Sequence, residues 1–403
     1  MKRSIAWLVP YPLQGSGGHR TIFSHIRHLA GRGHQCHVYI GEDRQRNMEE
    51  QALREAVEQF GPCPAPIHRG YAVPGRVDLA VATAWWTAEV VAREVEAAQK
   101  MYFVQDFEPC FNPMGDLFIR AENSYRQGLV PITIGRWLAH LLRERYGSRA
   151  DFFEFTADAA TYFPIDSSVR EQAVCFVHQP EKPRRCPAIG GEALAIVKHH
   201  CPEVTIYTYG SHEAPDYSFA HTHLGILNRE ECNLLYNRCM AGLCLSSSNP
   251  SRIPFEMMAA GLPAVDFYGD NTIHDLPDQA VLLAERSPSA LAGAIIEILR
   301  SPDLRETMRR RGLEFMRHRP ATLEFEQFAG KIERILAGEQ VEEKKIAPLY
   351  TAAPFSADLP RPPVPPPAAQ AKEQPPSRGM SLYQRLCRNR IGRVLKVIWK
   401  GYY

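Results

Sequence analysis

Residues 5–9, Ile-Ala-Trp-Leu-Val, form a continuous apolar run, the pattern of a strand buried on both faces of a parallel sheet. A turn-rich loop with Gly15, Gly17 and Gly18 follows. Apolar residues then recur at helical spacing over 21–32 (Ile22, Ile26, Leu29, Ala30), and 37–40 reads as the next strand. The alternation continues. Strands are expected at 77–82, 101–104, 131–134 and 152–155, and helices at 88–98, 116–127 and 137–146.

The pattern then resets. Strands are expected at 173–177, 204–209, 241–245, 264–267 and 281–283. Helices are expected at 189–199, 229–238, 255–260, 288–299, 302–318 and 321–337. Strands that alternate with helices argue for parallel sheets covered on both faces. Two such series, dividing near residue 165, predict an α/β chain of two Rossmann-like domains, 1–165 and 166–320, with a cleft between them. Residues 321–340 read as a helix packing back towards the first domain.

Ten of the 32 prolines lie between Pro348 and Pro376, so 341–380 reads as a disordered Pro-rich linker. Residues 381–403 carry Arg385, Arg388, Arg390, Arg393, Lys396 and Lys400 and no acid. Tyr383, Cys387, Ile391, Val394 and Ile398 recur there at spacings of three and four. This is a basic amphipathic helix, suited to an anionic membrane surface or, alternatively, to a protein partner.

Composition narrows the class. At 403 residues with 45% hydrophobic content the chain can bury two cores, and a formal charge of +2 makes no case for nucleic-acid binding. The ten cysteines include no Cys-x-x-Cys pair and read as reduced packing residues of a cytoplasmic protein. The first apolar run is too short for a signal peptide, and no run reaches the length of a membrane span. The cytoplasm is therefore expected, with peripheral contact at the inner face of the membrane.

Candidate chemistry concentrates at strand ends, where ligands of open α/β sheets bind. Residues 245–266 run from a strand through a polar loop (Ser248, Asn249) into a short helix carrying Glu256, stopped by Gly261 and Pro263. Free N–H groups at such a loop suit an anion. Lys182, Arg184 and Arg185 follow the 173–177 strand and suit a diphosphate. Gln105, Asp106 and Glu108 end the 101–104 strand, where Asp106 could orient a sugar hydroxyl or act as a base. Gly17, Gly18 and His19 open the first helix, where a backbone can approach a phosphate. Arg136 opens another helix and could reach a phosphate. His221 and His223 show no metal-ligand spacing.

Together these motifs resemble the retaining GT-B glycosyltransferases of family 4 over residues 4–337. The subgroup they most resemble is the bacterial rhamnosyltransferases that use dTDP-rhamnose. The resemblance rests on Tyr102-Phe-Val-Gln-Asp-Phe-Glu-Pro with Pro113-x-Gly115, on Ile134-Gly-Arg-Trp-Leu, and on Asn249-Pro-Ser-x-Ile-Pro-Phe-Glu-Met-Met, in that order. It implies that Glu256 binds the nucleotide's ribose, that Gly17 and Gly18 approach the donor phosphate, and that Lys182, Arg184 or Arg185 balances the diphosphate. The family commonly has a second glutamate seven residues before Glu256; this chain has Ser248 there.

The expected function is transfer of a sugar, L-rhamnose from dTDP-rhamnose, with retention, onto a polysaccharide or lipid-linked glycan, using no metal and no cofactor. Asp106 and Gln105 are the candidate catalytic residues. The rivals are a GT-B transferase using a UDP- or GDP-sugar, a nucleotide-sugar epimerase, and a non-catalytic GT-B scaffold. An oxidoreductase is disfavoured because Gly-x-Gly-x-x-Gly is missing.

Overall fold

A computed structural model describes residues 2–43, 45–165, 169–340 and 345–360. In chain order the first lobe contains β1 (Ser4–Val9), α1 (Gly17–Gly31), β2 (Gln35–Ile40), α2 (Glu50–Glu58), β3 (Ile67–Arg69), β4 (Val77–Ala82), α3 (Trp85–Arg93), β5 (Ala97–Val104), α4 (Asp116–Asn123), β6 (Val130–Ile134), α5 (Arg136–Tyr146) and β7 (Asp151–Phe153). The second contains β8 (Ala173–Val177), α6 (Pro187–His200), β9 (Thr205–Tyr209), β10 (Thr222–His223), α7 (Arg229–Arg238), β11 (Ala241–Leu243), α8 (Ile253–Ala259), β12 (Ala264–Phe267), α9 (Asp270–Ile273), β13 (Val281–Ala284), α10 (Pro288–Arg300), α11 (Pro302–Arg317) and α12 (Ala321–Leu336).

The strands form two sheets, in the orders β3-β2-β1-β4-β5-β6-β7 and β10-β9-β8-β11-β12-β13. All pairings are parallel; Ser4 to Val9 of β1 lies beside Gln35 to Ile40, and Ala173 to Val177 of β8 beside Thr205 to Tyr209. Strand order reverses between β1 and β4 in the first sheet and between β8 and β11 in the second. Such switch points open crevices at the strands' C-terminal ends.

The cores follow from the apolar runs. One cluster covers a face of each sheet and runs through both lobes, with Phe155 stacked on Phe255 at 4.5 Å across the junction. Separate clusters cover the opposite faces. α12 packs on the first lobe. Its fully buried Phe328 meets Trp7, Phe103 and Phe153, and Lys331 pairs with Asp151 at 2.6 Å.

The structure departs from the periodicity at several points. α3 begins at Trp85 and ends at Arg93, because the Thr87 hydroxyl accepts the N–H groups of Thr83 and Ala84 and starts the helix early. Residues 97 and 98, expected in that helix, instead begin β5, which runs along β4 from Ala97. α2 and the three-residue edge strand β3 carry too few apolar positions to stand out. Residues 345–360, expected in the disordered linker, lie along the second lobe. Leu349 and Tyr350 donate backbone N–H groups to Ile273 O at 2.8 and 2.9 Å, and Phe355 bridges to Ala284. Tyr350 is buried there. The rest of that linker's proline cluster, 361–380, and the basic segment 381–403 fall outside the described residues.

Candidate functional site

The loops after β8 and β11 flank the second sheet's switch point. After β11 the chain leaves the ladder through Ser246 and is held from below. Asp266 on β12 accepts the Ser246 N–H at 3.2 Å, and the Asn271 amide donates to Ser246 O and Ser248 O at 2.9 and 2.8 Å. Arg286 anchors that amide through its Oδ1 at 3.0 Å. Asp266 is 1% exposed, and burial pushes its carboxyl up to about 8. The loop is thus fixed by buried polar contacts, which a site of defined geometry requires.

After β8 the chain makes one 3-10 turn at Pro183–Arg185. Arg184 O accepts the Ser247 N–H at 2.9 Å, which ties the two loops together. The partly buried Arg185 makes a long contact to Asn249 O at 3.5 Å, and desolvation works against its charge. Lys182 pairs with Glu181 at 3.7 Å.

The first lobe meets this loop pair with the end of β5. Asp106 is 8% exposed. Its Oδ1 accepts the Asn249 N–H at 2.9 Å and its own neighbour's N–H, from Phe107, at 2.8 Å. Its Oδ2 accepts the Ser248 hydroxyl at 3.2 Å and pairs with Arg184 Nε at 3.3 Å. The Asn249 amide donates to Gln105 O at 3.0 Å and Ile134 O at 3.2 Å. Arg184 also lies 4.5 Å over the Phe111 ring. The C-terminal ends of both sheets therefore converge on one polar cluster of Gln105, Asp106, Arg184, Arg185, Ser248 and Asn249.

Other sequence candidates border it or stand apart. Gln105 Nε2 donates to Gly18 O at 3.3 Å, so the Gly17–Gly18 turn of α1 adjoins the cluster. Ser16 caps α1 through the His19 N–H, and its hydroxyl also meets His19 Nδ1 at 2.9 Å. Burial lowers His19 to about 4, so its ring is neutral. Glu256, on α8, faces the Tyr162 hydroxyl, and burial raises its carboxyl. Glu108 is buried beneath the cleft. It accepts the Trp85 N–H at 2.8 Å and the Tyr102 hydroxyl at 2.5 Å, and burial raises it to about 7. Arg136 is committed to Glu154 at 3.3 Å and Ala347 O at 3.1 Å.

Two cross-lobe contacts carried no sequence signal. Asp275, 2% exposed, accepts the N–H groups of Arg136 and Trp137 at 2.7 and 3.1 Å and so caps α5 from the other lobe. Gly135 precedes α5 at φ +83°, and a Cβ there would come within 2.8 Å of the Asp275 carboxylate. Arg252 meets both oxygens of Glu324 on α12 at 2.8 and 2.6 Å, and Glu324 also accepts the Thr156 hydroxyl and lies 3.2 Å from His25 Nε2. These partners lie 139 and 72 residues apart in sequence, beyond any local pattern. Among the described residues no group of three His, Cys, Asp or Glu side chains could hold a metal ion.

Residues 67–135 match the family model described as "WsaF, N-terminal domain", and residues 172–296 match "WsaF, C-terminal domain". The O-antigen biosynthesis protein RfbC of Myxococcus xanthus is 31% identical over 240 residues, 57% of this chain; the match spans only 18% of RfbC's length. The structure of Anabaena HepE with UDP-glucose superposes with a TM-score of 0.61 at 15% identity, covering 83% of this chain and all of HepE. A Listeria monocytogenes protein described as a UDP-N-acetylglucosamine 2-epimerase gives 0.54 at 9% identity, covering 86% of this chain and all of that one. The fold alone thus does not choose a chemistry. With WsaF-like N- and C-terminal domains in chain order, the chain has the GT-B fold, two sheets of parallel strands as in HepE.

Proposed function

We propose that this chain is a glycosyltransferase of polysaccharide or O-antigen type assembly, drawing its sugar from a nucleotide donor bound on the second lobe. The observation that carries this is the pair of loops at the β8/β11 switch point. They bring a partly buried guanidinium, Arg185, a second one, Arg184, and the Asn249 N–H up against Gln105 and Asp106 of the first lobe. Departure of a nucleoside diphosphate develops negative charge, and fixed cations and N–H groups stabilise such charge without reorganising. The WsaF-type matches on both lobes and the RfbC relative support transfer over other chemistries.

Within this reading the donor is dTDP-rhamnose, the mechanism is retaining and the family is 4. Glu256 holds the ribose, and Lys182, Arg184 and Arg185 neutralise the diphosphate without a metal. The acceptor hydroxyl attacks on the face the leaving group vacates, and a donor phosphate oxygen takes its proton. Gly17 and Gly18 admit the donor phosphate beside Gln105. The epimerase alternative needs two carboxylates in the cleft, and Glu108 is instead spent on Trp85 and Tyr102.

The test is incubation with dTDP-, UDP- and GDP-sugars and a glycan acceptor, measuring released nucleoside diphosphate. Release is expected from dTDP-rhamnose, falling on the order of 100-fold or more in Arg185→Ala. No release across the panel overturns the transferase reading, and release from a UDP- or GDP-sugar alone overturns the donor.

A further inference from the structure

The Asp106 carboxylate is set among groups that suit a phosphate. It takes a backbone N–H from Asn249 and a hydroxyl from Ser248, and it forms an ion pair with the Arg184 guanidinium, all on the donor-side loops. Backbone N–H, hydroxyl and guanidinium together are the donor set that recognises an oxyanion. The cluster sits at the switch point of the second sheet, where an open α/β sheet takes its ligand. The anion filling it belongs to the opposite lobe, 142 residues away in sequence. Both carboxylate oxygens are engaged, Oδ1 by two N–H groups and Oδ2 by the Ser248 hydroxyl and the Arg184 charge.

Two cations face this carboxylate. Arg184 and Arg185 act on Asp106, Arg185 is also near the buried Asp266, and its hydrogen bond among the described residues is the long one to Asn249 O. Asp275 offers the contrast. It also reaches across the lobes and accepts two N–H groups, but at α5, where Arg136 is already held by Glu154 and Ala347. That contact is shut in by protein and has no cation left to offer an incoming anion. The Asp106 contact has two.

We propose that Asp106 is a removable occupant of the seat for the sugar-bearing phosphate, so that donor binding exchanges one anion for another and frees the Ser248 hydroxyl and the Asn249 N–H, while the Asn249 side-chain amide stays on Gln105 O and Ile134 O. The inference rests on the nucleotide-sugar reading above. Asp106 then regulates entry: the empty cleft is latched at the loop, while the Asp275 contact persists as a fixed pivot. Once displaced, the carboxylate is free to turn towards the sugar or the acceptor. Ser248 matters here because a glutamate at that position would meet Asp106 as a like charge and leave no hydroxyl to hold it.

The experiment uses the full chain and its Asp106→Asn and Asp106→Ala variants. Calorimetry measures binding of dTDP, UDP, GDP and inorganic pyrophosphate, and hydrogen exchange follows the Asn249 amide without ligand. Removing the competing charge is expected to tighten diphosphate binding about tenfold in Asp106→Asn. Asp106→Ala is expected to expose the Asn249 amide at least tenfold while β8 and β12 amides stay protected. Diphosphate binding unchanged or weaker in both variants overturns the latch, as does unchanged Asn249 exchange. If nucleotides fail to bind but pyrophosphate tightens in Asp106→Asn, the latch stands and the nucleotide-sugar reading falls. If no diphosphate binds any variant, both fall.

Discussion

Glu324 shows how a single buried charge joins the lobes. It is 4% exposed, and burial alone would raise its carboxyl; the Arg252 guanidinium and His25 outweigh that and hold it well below the usual glutamate range. His25, fully buried, is itself lowered by burial. Removing one partner of such a pair leaves an uncompensated charge, so Glu324→Gln should cost about 3–5 kcal/mol of stability near neutral pH. The pH dependence has a definite sign. A depressed folded pKa contributes stability above the unfolded value, near 4.5, and that stability is lost as pH falls through the folded value. Chemical denaturation from pH 7 down to pH 3 should therefore show the gap between wild type and Glu324→Gln narrowing below about pH 4.5. A constant gap would show that the pair carries no linked protonation.

The elements explain why some of this was legible and some was not. β1, β8 and the 101–104 end of β5 are continuous apolar runs, so their burial on both faces could be read directly from residues such as Trp7, Phe103 and Val174, all fully buried. Arg184, Arg185, Ser248 and Asn249 could be placed at the mouth of the second sheet because a strand end in a parallel sheet already fixes where a loop opens. That Asp106 would be spoken for by Ser248 and Asn249 could not be read, since the contact is set by how two lobes dock. The same holds for Asp275, which lies just past the one-turn α9 and caps a helix in the other lobe. α12 was visible as a helix, and its docking depends on Phe328. Phe328→Ala should destabilise by about 3–5 kcal/mol, seen as a lower denaturation midpoint with the slope unchanged. A loss under about 1 kcal/mol would mean that α12 contributes little to the first lobe's core.

At the scale of the whole molecule, the end of β5 in the first sheet meets the β8/β11 switch point of the second, and the polar cluster of Gln105, Asp106, Arg184, Arg185, Ser248 and Asn249 forms there. Sheet topology positions the cleft, the loops supply cations, and buried Asp266 and Asn271 hold those loops in place. No described helix is long and apolar enough to cross a membrane. From its basic residues Arg385, Arg388, Arg390, Arg393, Lys396 and Lys400, we propose that the segment 381–403 contacts anionic lipid. Truncation after residue 380 should reduce cosedimentation with anionic vesicles and leave neutral vesicles unaffected; equal binding by both forms would assign that segment to a protein partner.

The central claim is that the second lobe's loops bind the diphosphate of a sugar nucleotide. Calorimetric titration of dTDP into the wild-type chain, Arg185→Ala and Glu256→Ala tests it most directly. Loss of a charge-assisted contact of about 1.5–3 kcal/mol predicts affinity roughly 10- to 150-fold weaker in Arg185→Ala. A loss is predicted for Glu256→Ala too, through the ribose. Saturable binding of dTDP with the same affinity in all three proteins would contradict the account.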